Sequence, residues 1–435
     1  MIFRSVREWD YLKVAEGGGD DAISRVAADS LIATARALRI GGEDGETILV
    51  NGHKRLRAQQ IVGVLASPSV TLEILPKIDG LDTGATRHRL VQMLARVFDL
   101  DIASGSMADL GWQQHDLLEV LIRLFCDRLF EAVHRGLPRR YIALEDDLAA
   151  LRGRLNVKRQ FTVLVPTPQK IACNYEDLNV DFPLNQIMKA AVMRLLRISR
   201  AAENQRRLTE LGFAFADVST VPVAVLPWDR VVLDRTNSAW ATLLNLAKLL
   251  LGERFQTTSS GDSRGFSLMF EMNTLFEEFI GRTLRRALDG TDLDVRLQGP
   301  RNHALIGDDL TGRFATRPDI VVSRKGRPVL IIDTKWKRLK GQIDDPKRGV
   351  GQADVYQMMA YAQVYQCNRL MLLYPHHNEI DAKAGILSSY RISGTLDTRL
   401  SVASITLSEF ASLGNRLKKL VLGNSVEAKA PSYAA

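Results

Sequence analysis

Short apolar runs of β type alternate with turn-forming residues over the first 85 positions, at residues 47–50, 60–66 and 70–78. Glycine-rich stretches, Glu16-Gly-Gly-Gly-Asp and Ile40-Gly-Gly-Glu-Asp-Gly, punctuate them, and helix-forming residues occupy about 21–38. The pattern predicts a β-rich, barrel-like module over 1–85. From 86 the apolar period changes to three or four. Leu117, Leu118, Leu121, Phe125, Leu129 and Val133 make one stripe, so 86–251 reads as a mainly helical region. Within it, residues 139–160 are strongly basic and read as irregular or hairpin structure with a solvated face. A Ser, Thr and Gly-rich stretch at 252–267 reads as a linker or long loop and places the main boundary there. A helix over about 268–289, strands, a helix over about 350–366, further strands and a closing helix over 407–422 follow, and the small polar tail 425–435 is expected to be disordered. The chain is thus expected to be a multidomain α+β protein, with a β-rich module at 1–85, a helical region at 86–251 and an α/β domain at 252–424.

Composition narrows the function. Over 435 residues, 46% hydrophobic and 25% charged positions describe a globular protein with real cores. The net charge of +8 favours a polyanionic partner. That excess gathers in one place, because residues 301–350 hold seven arginines and five lysines against six aspartates. Three widely spaced cysteines, Cys126, Cys173 and Cys367, offer no CxxC pair for a zinc ribbon. No signal-like or membrane-length apolar stretch appears, so a cytoplasmic, unanchored protein is expected.

The stretch from Arg317 to Trp336 carries the chemistry. Two apolar β runs, 320–322 and 329–332, flank Ser323-Arg-Lys-Gly-Arg-Pro328, which has turn composition, so a hairpin is expected. It brings Asp319 and Asp333 to one end, and the two-residue period sends Asp333 and Lys335 to the same face with Thr334 pointing away. Two carboxylates crowded together repel unless something offsets them, and a divalent cation such as Mg²⁺ is the usual answer. Asp319 and Asp333 would hold it, with Lys335 orienting a nucleophile or stabilising developing charge. The reaction this set supports is phosphodiester hydrolysis.

Pro318-Asp319, thirteen residues, then Asp333-Thr334-Lys335 resembles the PD-(D/E)xK nuclease superfamily. The resemblance implies a restriction-endonuclease-like C-terminal domain and an added glutamate from a preceding helix. Glu277 fits that place, on the border of an apolar stripe of Met272, Leu275, Phe276, Phe279 and Ile280, and would approach the metal through water. Downstream, Asp354-Val-Tyr-Gln357-Met-Met-Ala-Tyr361 resembles the QxxxY element of the RecB-like branch, which implies supporting roles for Asp354, Gln357 and Tyr361. Arg317, Lys337 and Arg338 are candidate DNA contacts, among other basic residues that include Arg324, Lys325, Arg327 and Lys340.

The rest of the chain carries a wider resemblance. Residues 70–78, Leu151-Arg-Gly-Arg-Leu155 and the run from Tyr175 to Lys189 look like signature segments of the McrC family, nuclease subunits of restriction systems directed at modified cytosine. This implies an endonuclease subunit that docks into an McrB-like AAA+ ring, stimulates its GTP hydrolysis and cuts double-stranded DNA containing modified cytosine. GTP would be bound by the partner, since the chain has no Gly-Lys dipeptide and hence no phosphate loop of the Walker type. Arg152 and Arg154 are candidates for acting in trans on that nucleotide. Asn174, Asp177, Asp181 and Asn185 match family positions, although helix capping accounts for several of them. His376-His377 reads as an exposed strand end rather than a metal site. Two alternatives stay open: a stand-alone RecB-like exonuclease or repair nuclease, and an activator of an AAA+ NTPase whose nuclease fold is vestigial.

Overall fold

The structure is a computed structural model that describes residues 2–16, 19, 21–38, 40, 48–100, 115–235, 237–252, 255–258, 265–339, 349–395 and 397–423. The expected disordered tail and Lys340 lie outside these residues. The chain forms two compact units, Met1–Leu117 together with Gln256–Ala435, and Leu118–Phe255.

The first unit begins with β1 (Ile2–Arg7), β2 (Tyr11–Val14), β3 (Ala22–Ile23), α1 (Arg25–Ala37), β4 (Leu49–Asn51), β5 (Arg55–Ala58), β6 (Ile61–Ala66), β7 (Val70–Leu75) and α2 (Thr83–Val97). The second unit holds α3 (Leu117–His134), β8 (Arg140–Leu148), β9 (Arg154–Leu155), α4 (Val157–Thr162), β10 (Ile171–Asn179), α5 (Pro183–Ile198), α6 (Ala202–Ala214) and α7 (Ala241–Leu251). The chain then returns to the first unit through β11 (Phe255–Thr258), β12 (Gly265–Glu271), α8 (Met272–Ala287), β13 (Leu293–Leu297), β14 (Asn302–Ile306), β15 (Gly312–Thr316), β16 (Ile320–Arg324), β17 (Arg327–Thr334), α9 (Gln352–Val364), β18 (Arg369–Pro375), β19 (Gly385–Arg391), β20 (Arg399–Ile405) and α10 (Phe410–Gly423).

The N-terminal strands form two open sheets, β3-β2-β5-β4 and β1-β7-β6-β12-β11, in place of the expected barrel-like module. The second of these takes β12 from the C-terminal part of the chain, where Ser267–Glu271 pair antiparallel with Leu65–Ile61. The expected modules 1–85 and 252–424 therefore share a sheet. Residues 268–271 are strand, not the start of a helix, because Leu268, Met269 and Phe270 are all buried and a continuous apolar run satisfies a doubly covered strand. The expected linker at 252–267 accordingly includes β11 and the start of β12. Leu31, Ile32, Leu56, Leu65, Leu72 and Met269 make the core beneath α1. On β7, Glu73 is fully buried and held by Arg87 of α2 at 2.6 Å.

Helix α3 buries the predicted stripe except for Val133, which is half-buried, and Glu119 accepts hydrogen bonds from Ser199, Arg200 and Asn204, fixing the junction of α5 and α6. The basic segment 139–160, expected to be irregular or a hairpin, forms β8, β9 and most of α4, with β8 and β9 on either side of β10 in a three-stranded sheet.

The C-terminal strands form a mixed sheet ordered β13-β16-β17-β18-β20-β19. Strands β16 and β17 are the expected hairpin. A two-residue turn closes it, with Lys325 (φ 48°) and Gly326 (φ 77°) both left-handed, the backbone a tight hairpin with this twist requires. Alternation sends Val321, Ile331, Leu370 and Leu372 to a core under α9 with Met358 and Tyr361. Helix α8 lies against β13 closely enough that a Cβ on Gly281 would stand 2.6 Å from Leu297 Cγ.

Candidate active site

The strand ends place the reactive groups. Asp319 immediately precedes β16 and Asp333 is the penultimate residue of β17, so the antiparallel pairing of Ile320 with Ile332 brings the two carboxylates together. Asp319 Oδ2 accepts hydrogen bonds from the Thr334 amide (2.7 Å) and hydroxyl (3.0 Å). Thr334, which alternates with Asp333 and Lys335 along the strand, thus anchors Asp319 directly. Lys335 Nζ stands 2.8 Å from Asp333 Oδ2 and 3.7 Å from Asp354 Oδ1, and donates to Gln357 Oε1 at 3.2 Å. Gln357 Nε2 donates to the Tyr361 hydroxyl (2.7 Å), which donates to the carbonyl of Arg317 (3.1 Å). Asp319, Asp333, Lys335, Asp354, Gln357 and Tyr361 are thus brought together as one network.

Asp333 is 1% exposed, and neither of its oxygens accepts a hydrogen bond of normal geometry among the described residues. A buried carboxylate left so is costly. Burial, then repulsion from Asp319, pushes its pKa up to about 6 against the pull of Lys335. Burial also raises Asp319, while the Thr334 hydrogen bonds oppose the rise. Burial alone would lower Lys335, but Asp333, then Asp354 and Asp319, hold it above its ordinary value, so the ammonium stays charged.

Glu277 is half-buried on α8. Burial first, then the charges of Asp319 and Glu278, push it up to about 8, while a hydrogen bond from Gln298 opposes them. It therefore faces the same acidic field, but among the described residues no three His, Cys, Asp or Glu side chains form a ready-made ligand set for one ion. Asp319 and Asp333 both repel Glu277, so the expected trio carries like charges that only a cation would neutralise. The pair Asp319 and Asp333 fits a hard divalent cation, which takes few carboxylates and fills its other positions with water and phosphate oxygens. The buried Oδ1 of Asp333, which accepts no hydrogen bond among the described residues, is the observation that fits this.

Arg317 is exposed beside the site. Lys337 pairs with Asp354 at 3.4 Å, and Arg338 is engaged by Asp79 and Glu379. Residues missed by sequence reasoning also converge here. Gln298, left-handed at φ 47°, donates its amide to the Asp319 carbonyl at 2.6 Å. Tyr374, at the end of β18, buries a hydroxyl that has no partner among the described residues, and the charges of Asp354 and Asp333 add to the burial that raises its pKa. Trp336 follows the lysine and is gripped from the N-terminal sheets: its indole donates to Glu8 Oε1 (2.7 Å), and its carbonyl accepts from Gln60 (2.5 Å). A polar residue at the end of an apolar strand marks Tyr374 in the sequence; nothing local marks Gln298 or Glu8. His377 is buried with Nε2 2.8 Å from the Leu339 carbonyl, not exposed as expected. In the second unit, Arg152 pairs with Asp177 at 2.7 Å and lies over the Tyr175 ring, while Arg154 is exposed.

Fold and site together define a mixed α+β protein with a pair of carboxylates, one buried and one half-buried, and a charged lysine at the end of a mixed sheet. The chain belongs to the family of McrBC 5-methylcytosine restriction system components, whose sequence profile it matches over residues 56–375. The resemblance read from the sequence segments is borne out. In fold it is similar to a chain of the refined half-complex from the tetradecameric assembly of Thermococcus gammatolerans McrB AAA+ hexamers with bound McrC, at TM-score 0.74 and 21% identity over 98% of this chain and 100% of that one. It is also similar to a chain of the cryo-EM structure of the Thermococcus gammatolerans McrBC complex, at TM-score 0.55 and 25% identity over 66% of this chain and 88% of that one. No curated protein matches it. No described helix is long and apolar enough to cross a membrane.

Proposed function

We propose that this chain is the DNA-cutting subunit of a GTP-driven restriction complex: a Mg²⁺-dependent endonuclease with a restriction-endonuclease-like C-terminal part, acting on double-stranded DNA that contains modified cytosine. The observation that carries the reading is the buried carboxylate of Asp333 beside Asp319, with Oδ1 accepting no hydrogen bond among the described residues and Oδ2 paired with a charged Lys335 at 2.8 Å. Folding alone gives no reason to gather these charges. Asp319 and Asp333 would hold Mg²⁺, with Glu277 at one remove through water; the ion supplies charge neutralisation at the phosphate and a more acidic water. Thr334 fixes the Asp319 carboxylate, and Gln357 and Asp354 hold the Lys335 ammonium where it can meet charge building on the phosphate oxygens. Arg317 and Lys337 would bind the flanking backbone, Lys337 by exchanging its pairing with Asp354 for a phosphate.

The partner reading rests on the second unit. Val157, Phe161, Val163 and Val165 expose large apolar side chains close together in sequence, next to the cations of Arg152 and Arg154. Solitary exposed apolar residues are ordinary, but a run of them marks an interaction surface. We assign it to docking on an McrB-like AAA+ GTPase ring that binds the GTP, as McrB hexamers bind McrC in the similar assembly.

The test is cleavage of 5-methylcytosine-containing duplex by the chain reconstituted with its AAA+ partner, Mg²⁺ and GTP. Asp333→Asn and Lys335→Ala are each expected to lower the rate about 10²-fold to 10³-fold or more. Undiminished cleavage by Asp333→Asn overturns the site. Cleavage by the chain alone, without nucleotide, replaces the motor-driven reading with a stand-alone nuclease. GTPase stimulation without any cleavage would make it an activator only.

A further inference from the structure

Between β13 and β16 the chain leaves the main sheet as a separate two-stranded ribbon, β14 with β15, paired from Asn302 with Thr316 to Ile306 with Gly312. A solvated ribbon is expected to be polar. This one exposes Ile306 (72%), Leu310 (86%) and Phe314 (72%), and Leu305 is exposed beside them. Leu310 and Phe314 also hold left-handed backbone, at φ 60° and 55°, a conformation that bulky side chains rarely adopt. Neither choice serves folding, since no core receives these side chains.

The root of the ribbon is tied to the candidate active site. Tyr365 donates its hydroxyl to the carbonyls of Pro300 (2.6 Å) and Thr316 (2.9 Å), one on each side of the root. Tyr361, which receives the Gln357 amide, donates to the Arg317 carbonyl, and its ring meets Tyr365 edge-on at 6.0 Å. The Lys335 network therefore continues into the base of the ribbon, two residues from Asp319. Arg301 and Arg317 flank that base, both exposed and without an ion pair among the described residues. Asp309 at the far end is occupied with Thr311 and Arg313.

We propose that this ribbon lies in the major groove of the duplex whose backbone the Asp319–Asp333 site holds, with Arg301 and Arg317 on the phosphates at the groove's edges. The proposal rests on the nuclease reading above. The dimensions suit it: five-residue strands extend about 17 Å at roughly 3.4 Å per residue, and the major groove, about 12 Å wide and 8.5 Å deep, admits a two-stranded ribbon without the deformation of the duplex that the minor groove, about 6 Å wide, requires. Apolar side chains fit there because pyrimidine C5-methyl groups face the major groove, and the remaining acidic side chain, Asp308, has cytosine and adenine amino groups to accept from. A protein partner would also cover apolar side chains, but the unpaired arginines at the root and the direct tie to the carboxylate site favour DNA.

The experiment is a dimethyl sulfate footprint of guanine N7, an atom of the major groove, on a duplex bound by the reconstituted complex carrying Asp333→Asn, with and without Leu310→Ser/Phe314→Ser. Protection near the cut is expected, and its loss in the ribbon variant together with about a tenfold to hundredfold weaker duplex affinity. Both side chains are exposed, so the variant is expected to keep its melting temperature, and Phe314→Trp to restore protection. Bound DNA with no N7 protection, or protection unchanged by the variant, overturns the ribbon assignment while leaving the nuclease reading to its own Asp333→Asn cleavage test. Loss of self-association in sedimentation with the footprint intact makes the ribbon a protein contact and overturns it as well. Failure of every form to bind duplex overturns both.

Discussion

Glu8 lies far from the reactive groups in sequence, yet it is the residue whose ionisation bears most directly on how the lysine segment is held. Its carboxyl is 1% exposed, with Oε1 accepting from the Lys77 amide and the Trp336 indole and Oε2 unpartnered. Burial pushes it up to about 7, against the opposing pull of those hydrogen bonds. Because the folded value lies above the unfolded 4.5, folding holds the proton more tightly than the open chain does. The resulting stabilisation is complete below pH 4.5 and is lost as pH rises to about 7, a total of about 3 kcal/mol. Glu8→Gln mimics the neutral form, so its melting temperature is expected to exceed that of the parent at pH 8 and to match it near pH 4.5. Thermal melts across that range check this, and equal melting temperatures at pH 8 would remove Glu8 as a buried titrating group. Asp319, Asp333 and Lys335 are legible in the sequence because they lie within one local hairpin and obey its two-residue period. Glu8 and Gln298 reach the site through tertiary packing, which no local spacing records.

Helix α8 carries Glu277 toward the sheet, and its approach depends on one missing methyl group. An alanine at Gly281 would put Cβ 2.6 Å from Leu297 Cγ on β13, and the crowding of a branched carbon outweighs the better helix propensity of alanine. Gly281→Ala is expected to cost about 1–2 kcal/mol net, and Gly281→Ala with Leu297→Ala to recover part of it. Chemical denaturation of the two variants checks this; an unchanged midpoint in the single variant would mean the sheet gives way freely. The apolar stripe of α8 was legible, with Met272, Leu275, Phe276, Phe279 and Ile280 all buried. Its start was not. Leu268 to Phe270 has no period to distinguish a covered strand from the first turn of a helix, and the deciding fact is that β6, some 200 residues earlier, offers it a partner. The same long-range pairing hid the shared sheet and produced the expectation of separate N-terminal and C-terminal modules.

At the scale of the whole molecule the two candidate tasks fall to different compact units, cutting to the unit with Asp333 and ring docking to residues 118–255. That division predicts clean separation of function. Phe161→Asp with Val165→Asp puts charge on the apolar run of the second unit, where both side chains are already exposed, so the melting temperature is expected to stay within about 2 °C of the parent. The ring must desolvate those carboxylates to bind, a cost of several kcal/mol, so co-elution with the AAA+ partner and its GTPase stimulation are expected to disappear. Asp333→Asn should give the reverse: full assembly and stimulation, no cut DNA, and a fold of similar stability, since the loss of the Lys335 pair is offset by relief of the repulsion between Asp333 and Asp319. Gel filtration, GTP turnover and duplex cleavage on the same two preparations decide the matter. If the charged second-unit variant still assembled and stimulated, docking would have to move to another surface. If Asp333→Asn lost stimulation along with cleavage while remaining folded, the carboxylate cluster would belong to communication with the ring, and an activator whose nuclease site is vestigial would become the better description of the chain.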